Sequence, residues 1–493
     1  MNPTLVALPV DGRPAVREQV QMLLEAGGCQ GQMPPVADLG LMRQPADRDR
    51  LASWLRKQAP QAQGLVISVD MLVYGGLVPS RFIPDALEDL QQRLHLLREL
   101  KTAAPKRPLY AFAATMRISN NNVAEEEKPY WAEHGEQIWA WSFHADRHAQ
   151  LNDAADLERA EAARTQIPSA IQQDYLAARA RNFAINKQLL DLVAEGVIDR
   201  LVLPQDDTAD YGFNIAERRA LQAAIERAGL QDQVLVYAGA DEVMHTLCAH
   251  LVATLRREPA LKFWLSCSDP QGVQHLRARY EDRPLLDSLA SQLQAVGAEL
   301  VESIEQADLV LALHSAGQAQ GDWAMRLPLP SPLSSERLQQ WLRKLPADKP
   351  LAIADLAYAN GADPLLIEAV AGHIGLANLV GYAGWNTASN SLGSLLAQLV
   401  LARSDLGGGA NQRMACLRLL EDHLYQACLR QTLRDSIDEA ALTPVELEAA
   451  ASLLFVPASD AWLQAQGLPW RVEQLWLPWQ RSFEIGLRLK AHP

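Results

Sequence analysis

Short apolar runs recur along the chain and alternate with longer stretches in which apolar residues follow helical spacing. Most of these runs are four to six residues long and contain few polar residues, which is typical of strands buried on both faces of a parallel sheet. Nine strands are predicted on this pattern, at residues 5–10, 65–69, 109–114, 201–203, 234–237, 263–266, 309–313, 351–354 and 379–382.

The stretches between these strands predict helices. Residues 284–296, for example, carry apolar side chains at i, i+3 and i+4 and end at a glycine. Strands that alternate with helices predict right-handed βαβ units. We therefore predict an α/β fold with a TIM-barrel-like parallel β/α core. Two doubly wound α/β domains are the alternative, because nine strands exceed an eight-stranded barrel by one.

Two regions interrupt the alternation of strands and helices. Residues 118–199 have no convincing strand and predict a helical insertion within an α/β catalytic core that spans residues 1–400. The glycine-rich segment 405–410 predicts a flexible joint, and a helical C-terminal region is expected over residues 411–493. Within the core, residues 256–320 are a candidate for a separate Rossmann-like subdomain.

Composition and charge exclude several classes of protein. The 493 residues are 48% hydrophobic and 21% charged, as in an ordinary globular protein. A net charge of −14 without a run of Lys or Arg argues against nucleic-acid binding. The five cysteines form no C-x-x-C pair, and no apolar run approaches the roughly 18 residues of a membrane helix. Because the N-terminus also lacks signal-peptide features, we expect a cytoplasmic protein.

Polar side chains follow most of the predicted strands. Because parallel strands bring their carboxyl ends to one face, side chains that are far apart in the chain are expected to converge there. Several carboxylates in one concave site repel each other unless they are protonated, paired with Arg117, or bound to a cation or to substrate hydroxyls. The resulting candidates for substrate binding are Asp11, Asp70, Arg117, Asn120, Asp241, Glu242, Asp355, Trp385 and Asn386.

The strongest local signal is the pair Asp206-Asp207, which we predict to be catalytic. Two carboxylates beyond a strand end can divide the roles of general acid and orienting partner. The alternative is that Asp207 only caps a turn before the next helix. Trp385-Asn386 places an aromatic ring beside an amide, a combination suited to sugar recognition, whereas a buried core position is the alternative for Trp385.

Five motifs in combination resemble an uncharacterised bacterial family that is defined only as a domain of unknown function. The motifs are PVDGRP, DMLVYGGLVPSR, QDD, GADE and GWNTASN, and they extend over nearly the whole chain. A looser likeness, carried by Asp206, Asp207 and Asn386, is to retaining β-N-acetylhexosaminidases that use substrate-assisted catalysis on a barrel. That likeness implies that Asp206 orients the acetamide, Asp207 is the general acid/base, and Asn386 binds the acetamido group or a ring hydroxyl.

Three functions are compatible with this pattern. The first is a glycoside hydrolase that acts on a small intracellular sugar or glycan fragment without a cofactor, because no nucleotide-binding or zinc-protease motif is present. The second is a hydrolase or lyase in which carboxylates, or His314, hold Mg²⁺ or Mn²⁺. The third is a sugar-binding protein without catalytic activity. The sequence leaves the choice between a monomer and a homo-oligomer open.

Overall fold

Parallel strands form the framework of the protein, of which a computed structural model describes residues 2–492. All nine predicted strands are confirmed, with small differences at their ends. In chain order the strands are β1 (Thr4–Leu8), β2 (Gln30–Gln32), β3 (Gly64–Ser68), β4 (Leu109–Phe112), β5 (Arg200–Val202), β6 (Val234–Leu235), β7 (Lys262–Cys267), β8 (Glu299–Val301), β9 (Leu309–His314), β10 (Gly321–Asp322), β11 (Leu351–Asp355), β12 (Tyr358–Ala359), β13 (Leu379–Ala383), β14 (Trp470–Trp476) and β15 (Gly486–Ala491).

Helices fill most of the chain between these strands, as the spacing of apolar residues predicts. They are α1 (Glu18–Ala26), α2 (Arg48–Gln58), α3 (Val69–Tyr74), α4 (Leu87–Arg93), α5 (His95–Ala103), α6 (Trp131–Leu151), α7 (Ala154–Thr165), α8 (Ser169–Ala194), α9 (Phe213–Ala228), α10 (Val243–Arg256), α11 (Gly272–His275), α12 (Leu285–Val296), α13 (Ser335–Leu342), α14 (Pro364–His373), α15 (Ala388–Leu401), α16 (Gly409–Arg418), α17 (Arg430–Ser436) and α18 (Pro444–Ala465), with a π-helix at Leu419–Leu429. Within residues 2–492, none of them combines the length and apolar character needed to cross a bilayer.

The strands form two open parallel sheets, and no closed barrel is found among residues 2–492. The first sheet has the order β2-β1-β3-β4-β5-β6 and the second the order β13-β11-β9-β7-β8. A barrel does not close because β6 contributes only two paired residues, and β7 then pairs with β8 and β9 instead of β6. The TIM-barrel-like core is therefore unconfirmed, and two open parallel sheets take its place.

The two sheets share one layer of helices, formed by α1, α10, α12 and α15. Side chains alternate along β1, so that Leu5 and Ala7 pack in the core with these helices, whereas Val6 and Leu8 pack in a second core with α2 and α8. Strand β9 of the second sheet alternates in the same way between the shared core and an outer core that includes α13 and α14. Burial on both faces explains why these strands are continuous apolar runs.

Two glycines allow the shared helices to approach the sheets closely. A Cβ atom at Gly64 in β3 would lie 2.7 Å from Leu251 of α10, and one at Gly381 in β13 would lie 2.8 Å from Leu395 of α15. Real Cβ contacts are longer, so a larger residue at either position would push a helix away from its sheet. Within the shared layer, α10 therefore packs closely against the first sheet and α15 packs closely against the second.

The structure bears on three predicted regions: the helical insertion, the helical C-terminal region and the separate subdomain. Residues 118–199 contain α6, α7 and α8 and no strand, as predicted. The prediction of a wholly helical C-terminal region is wrong, because β14 and β15 form an antiparallel hairpin. The second sheet also includes β11 and β13. A separate subdomain over residues 256–320 would therefore split this sheet.

Because α15 contacts the cores of both sheets, we expect the Leu396→Ala variant to lose about 2–5 kcal/mol of unfolding free energy. Leu396 is fully buried in the shared layer. The loss should appear in urea unfolding as one transition, with coincident fluorescence and circular dichroism signals. Leu453→Ala is the matched control, because Leu453 is 79% exposed on α18 and should change stability by no more than about 0.5 kcal/mol. Two separate transitions would contradict the shared core.

Candidate functional site

The carboxyl ends of the first sheet bring most of the predicted site residues to one edge. Asp11 follows β1, Arg117 follows β4, and the pair Asp206-Asp207 follows β5. Asp70 lies in the first turn of α3, directly after β3, and Asp241 lies between β6 and α10. Because the five strands are parallel, residues more than two hundred positions apart become neighbours.

Arg13 connects two of these strand ends. Its guanidinium bonds both carboxylate oxygens of Asp11, at 2.8–3.1 Å, and also lies 2.6 Å from Oδ1 of Asp241. Glu484, from the turn between β14 and β15, lies 3.8 Å from the same guanidinium. All four side chains are buried, so each carboxylate depends on Arg13 to offset the loss of its hydration.

The second sheet contributes a contact to the same place. Asn386, which follows β13, donates from Nδ2 to Oδ2 of Asp241 at 2.8 Å. The side-chain oxygen of Asn390 accepts hydrogen bonds from the backbone N–H groups of Ala240 and Asp241. The carboxyl ends of the two sheets therefore meet at Asp241. Asn386 has a φ of 67°, a left-handed conformation that asparagine adopts more readily than most residues.

Two further arginines, Arg81 and Arg117, contact the acidic residues that follow β5. Arg117 lies 3.4 Å from Oδ2 of Asp207 and 3.8 Å from Oδ2 of Asp206, and both contacts are made by the same nitrogen, Nη1. Arg81 lies 3.4 Å from Asp206 and 2.9 Å from Glu127. Glu127 also accepts a hydrogen bond from Nε of Arg117 at 2.9 Å, so one buried carboxylate joins the two guanidinium groups.

The turn between β14 and β15 joins the two groups of charges. Arg481 from this turn lies 2.8 Å from Glu126, which is also 3.2 Å from Arg117. The ring of Trp479 contacts the guanidinium groups of Arg13 and Arg481, at 4.5 and 4.8 Å from its centroid. We call the whole set the arginine–carboxylate cluster. Its members are Asp11, Arg13, Arg81, Arg117, Glu126, Glu127, Asp206, Asp207, Asp241, Arg481 and Glu484.

Acid exceeds base in this cluster, with seven carboxyl groups and four guanidinium groups, and burial shifts the pKa of several members. Burial and the neighbouring charge of Asp207 raise the pKa of Asp206 to about 7. Burial likewise raises the pKa of Glu484 to about 7. Glu126 behaves oppositely: burial would raise its pKa, but the charge of Arg117 lowers it. The cluster therefore combines ionised carboxylates with carboxyl groups that hold a proton near neutral pH.

Asp70 and Glu242 lie next to the cluster and are also buried. Oδ2 of Asp70 accepts the N–H of Ala114 at 2.9 Å, and burial raises its pKa to about 7. Glu242 accepts hydrogen bonds from Gln292 and from the N–H of Ala240, and burial raises its pKa to about 8. Both carboxyl groups are therefore able to store a proton beside the cluster at neutral pH.

Solvent reaches the cluster on the side of Asp206 and Asp207. Their side chains are 17% and 24% exposed, and that of Arg117 is 17% exposed, whereas Arg13 and Arg81 are enclosed. Asp207 has a φ of 39°, an unusual conformation for aspartate that holds its carboxylate toward Arg117 and Ser119. Asp206 and Asp207 are thus among the partly exposed members of the cluster, together with Arg117 and Glu126.

Three predicted site residues lie away from the arginine–carboxylate cluster. Asn120 is exposed and has no hydrogen bond or ion pair with it among residues 2–492. Asp355, at the end of β11, accepts instead from the hydroxyl of Tyr382 and the N–H of Asp363. Trp385 is buried against Phe483, so its ring is not open for sugar stacking. The core position considered as the alternative for Trp385 is the observed one.

Trp385 does border a small cavity behind the cluster. The cavity measures about 10 Å³, the space of a single water molecule, and Asp241, Glu242 and His245 also line it. The indole N–H of Trp385 and both ring nitrogens of His245 have no partner within residues 2–492. Burial lowers the pKa of His245 to about 3, so the imidazole is neutral.

Sequence reasoning missed the residues that organise the acidic side chains. Arg13 and Arg81 lie within the motifs PVDGRP and DMLVYGGLVPSR, so an expectation that buried acids need paired cations could have found them. Glu126 and Glu127 belong to a run of three glutamates that resembles an exposed helix start. Nothing in the local sequence around Arg481, far along the chain, indicates that it belongs to the site.

The acidic residues do not form a recognisable metal centre. Within the described part of the chain, no three His, Cys, Asp or Glu residues come together in an arrangement that could hold a metal ion. In the cluster the carboxylates face guanidinium groups instead.

Fold and site together define an α/β protein of two open parallel sheets with a charged cluster at the carboxyl ends of the first. By sequence the chain belongs to the family described as "Protein of unknown function (DUF4127)", whose model matches residues 5–488. The match covers the strand-end motifs, the helical insertion and the turn that carries Arg481 and Glu484. Among curated proteins, none matches the sequence.

The raised pKa of Glu242 predicts a pH dependence of stability. Burial raises the pKa of Glu242 in the folded state to about 8, above its ordinary value of 4.5, so the native state holds this proton more tightly than the unfolded chain. The resulting stabilisation is lost as the pH rises through about 8. Wild type should therefore lose unfolding free energy as the pH rises from 5 to 9, whereas Glu242→Gln should not show this loss. The difference between variant and wild type should grow by up to about 1.4 kcal/mol per pH unit.

Urea unfolding across this pH range measures the effect. Glu305→Gln is the control, because Glu305 is exposed and a hydrogen bond from Ser303 lowers its pKa, so it does not titrate in this window. If the curves of Glu242→Gln and wild type run parallel from pH 5 to 9, Glu242 does not hold the proton.

Proposed function

We propose that the protein is a hydrolase that cleaves a glycosidic bond in a small, neutral sugar or glycan fragment. The observation that carries this proposal is the accessible pair Asp206-Asp207, whose carboxylates share one nitrogen of Arg117 at 3.8 and 3.4 Å. Glycoside hydrolysis commonly uses two carboxyl groups in different protonation states, one to protonate the leaving oxygen and one to act as base, nucleophile or electrostatic partner.

The environments of the two carboxyl groups suggest how they divide these roles. Burial raises the pKa of Asp206 to about 7, so near neutral pH it has a proton to donate to the leaving oxygen. Asp207 accepts the hydroxyl hydrogen of Ser119 at 2.9 Å and faces Arg117, which suits a charged partner. These roles are the reverse of those that the likeness to β-N-acetylhexosaminidases implies.

Charge supports a neutral substrate. The cluster has three more carboxyl groups than guanidinium groups, so an anionic substrate would be repelled unless several acids were protonated. Sugar hydroxyls can donate to the carboxylates and accept from Arg117. Asn386 would act indirectly, because its Nδ2 is already bonded to Asp241 and its Oδ1 accepts the N–H of Thr387. Trp479 is already stacked with two guanidinium groups, so recognition would depend on hydrogen bonds.

We expect Asp206→Asn to reduce hydrolysis of alkyl or methylumbelliferyl glycosides by roughly 10²- to 10⁴-fold, because the general acid is lost. The reduction should be much smaller on dinitrophenyl glycosides, whose leaving group departs without protonation. Asp207→Asn should reduce turnover on both kinds of substrate. Asp210→Asn is the matched control on the same loop, since Asp210 is exposed and pairs with Arg277.

Turnover of a panel of glycosides with the three variants decides between the candidate functions. If Asp206→Asn and Asp207→Asn cleave an accepted substrate at the wild-type rate, the carboxylate pair is not catalytic. If no glycoside is cleaved but a neutral sugar raises the melting temperature of wild type and not of these variants, the site binds sugar without hydrolysing it.

A further inference from the structure

A second group of reactive side chains lies at the carboxyl end of the second sheet. Ser268 follows β7, His314 is the last residue of β9, and Asp363 directly precedes α14. Oγ of Ser268 lies 2.9 Å from Nδ1 of His314, and Nε2 of His314 lies 3.0 Å from a carboxylate oxygen of Asp363. A hydroxyl, an imidazole and a carboxylate thus form one continuous series of hydrogen bonds.

The partners of His314 determine which ring nitrogen carries the hydrogen. The carboxylate of Asp363 can only accept, so Nε2 of His314 is the N–H donor. Nδ1 is then the ring nitrogen that can accept the hydroxyl hydrogen of Ser268, which lies within reach of both Nδ1 and the carbonyl oxygen of Ser315. This is the tautomer that a general base needs when it removes a proton from a neighbouring serine.

The base and its acidic partner are fixed in place. Oδ1 of Asp363 accepts the N–H of Leu365 as the N-cap of α14, and the N–H of Asp363 donates to Oδ2 of Asp355. The ring of His314 stacks with that of Trp341, at a centroid distance of 6.3 Å and an angle of 28°. Catalytic bases are held by such packing and hydrogen bonding, so the geometry does not have to be assembled when substrate arrives.

The serine is the accessible end of the series. Ser268 is partly exposed, whereas His314 is fully buried and Asp363 nearly so. Oγ of Ser268 accepts the N–H of Ser315 at 3.1 Å, a donor that stabilises negative charge on this oxygen as its proton leaves. The oxygen also lies 2.9 Å from the carbonyl oxygen of Ser315, which competes with His314 for the hydroxyl hydrogen in the resting state.

A backbone donor lies next to the serine. The N–H of Asp269 has no acceptor among residues 2–492, although the side chain of Asp269 accepts from Gly272 and Gly317. The N–H of the residue after a nucleophilic serine is a frequent donor to the oxyanion in acyl transfer. The N–H of Asp269 is therefore available for this role.

We propose that Ser268, His314 and Asp363 form a second catalytic site, which hydrolyses a small carboxylic ester. Oγ of Ser268 attacks the ester carbonyl carbon while its proton moves to Nδ1 of His314. The intermediate expels the alcohol, which takes that proton from His314 and leaves an acyl-serine. Water then attacks the acyl group with His314 again as base, the acid is released, and the proton returns to Ser268.

This site is separate from the one proposed to act on glycosides. None of the hydrogen bonds or ion pairs of Ser268, His314 and Asp363 within residues 2–492 reaches the arginine–carboxylate cluster. Loss of Asp206 should therefore leave the chemistry of Ser268 intact, and either proposal can fail without the other.

Covalent labelling of the full-length chain with a fluorophosphonate tests the proposal, because this reagent loses fluoride to an activated serine. We expect one adduct by intact mass, located at Ser268 by peptide mapping, and none in Ser268→Ala. Asp363→Asn should label about 10³- to 10⁴-fold more slowly, since asparagine keeps the helix cap but no longer fixes the tautomer. Ser331→Ala should label at the wild-type rate, because Ser331 is an exposed serine beside Gly317.

The labelling rate of wild type as a function of pH gives a second readout that needs no variant. It should be higher at alkaline than at acidic pH, because a general base accepts the serine proton only in its unprotonated form. The proposal is overturned if the folded wild-type chain gives no adduct at Ser268. It is equally overturned if folded Asp363→Asn labels as fast as wild type, or if the wild-type rate does not depend on pH.

Discussion

The surplus of acid over base at the carboxyl ends of the first sheet is the constraint on which the candidate site depends. A buried carboxylate without a partner is costly, and four guanidinium groups cannot neutralise seven carboxyl groups. Protonation therefore neutralises part of the surplus of carboxyl groups, as the raised pKa values of Asp206 and Glu484 indicate. Proton-holding carboxyl groups beside ionised ones are what acid–base chemistry near neutral pH needs.

The fold supplies this arrangement from widely separated parts of the chain. The first sheet contributes the strand ends, the second sheet contributes Asn386, and the turn between β14 and β15 contributes Arg481 and Glu484. Because the layer of α1, α10, α12 and α15 shares one core with both sheets, the strand ends are held in fixed positions relative to each other. The C-terminal hairpin is thus part of the site, although it follows the α/β core in the sequence.

Much of the fold is predictable from the sequence because burial on both sheet faces produces apolar runs. Strand β2 escapes prediction because its three residues, Gln30–Gln32, are polar at the sheet edge. The choice between a barrel and two sheets depends on which strand follows β6 in space, and local hydrophobicity does not encode that pairing. The hairpin of β14 and β15 was missed because its residues alternate in burial instead of forming a continuous apolar run.

The sequence predicts the part of the site that lies at the ends of parallel strands. Asp11, Asp206 and Asp241 converge because they follow β1, β5 and β6 of one sheet. Trp385 also follows a strand, yet burial of its large ring against Phe483 takes it into the core. Asp355 follows β11 of the other sheet and so joins a different network.

The most direct test of the account is to observe the protons themselves. Infrared spectroscopy of the folded protein at pH 7 should show absorption of protonated carboxyl groups that is lost on unfolding, and part of it should be missing in Asp206→Asn. Titration through pH 7 should reduce the same band. If the folded wild type shows no protonated carboxyl at pH 7, the cluster does not resolve its acid surplus by protonation, and the proposed general acid has no proton to give.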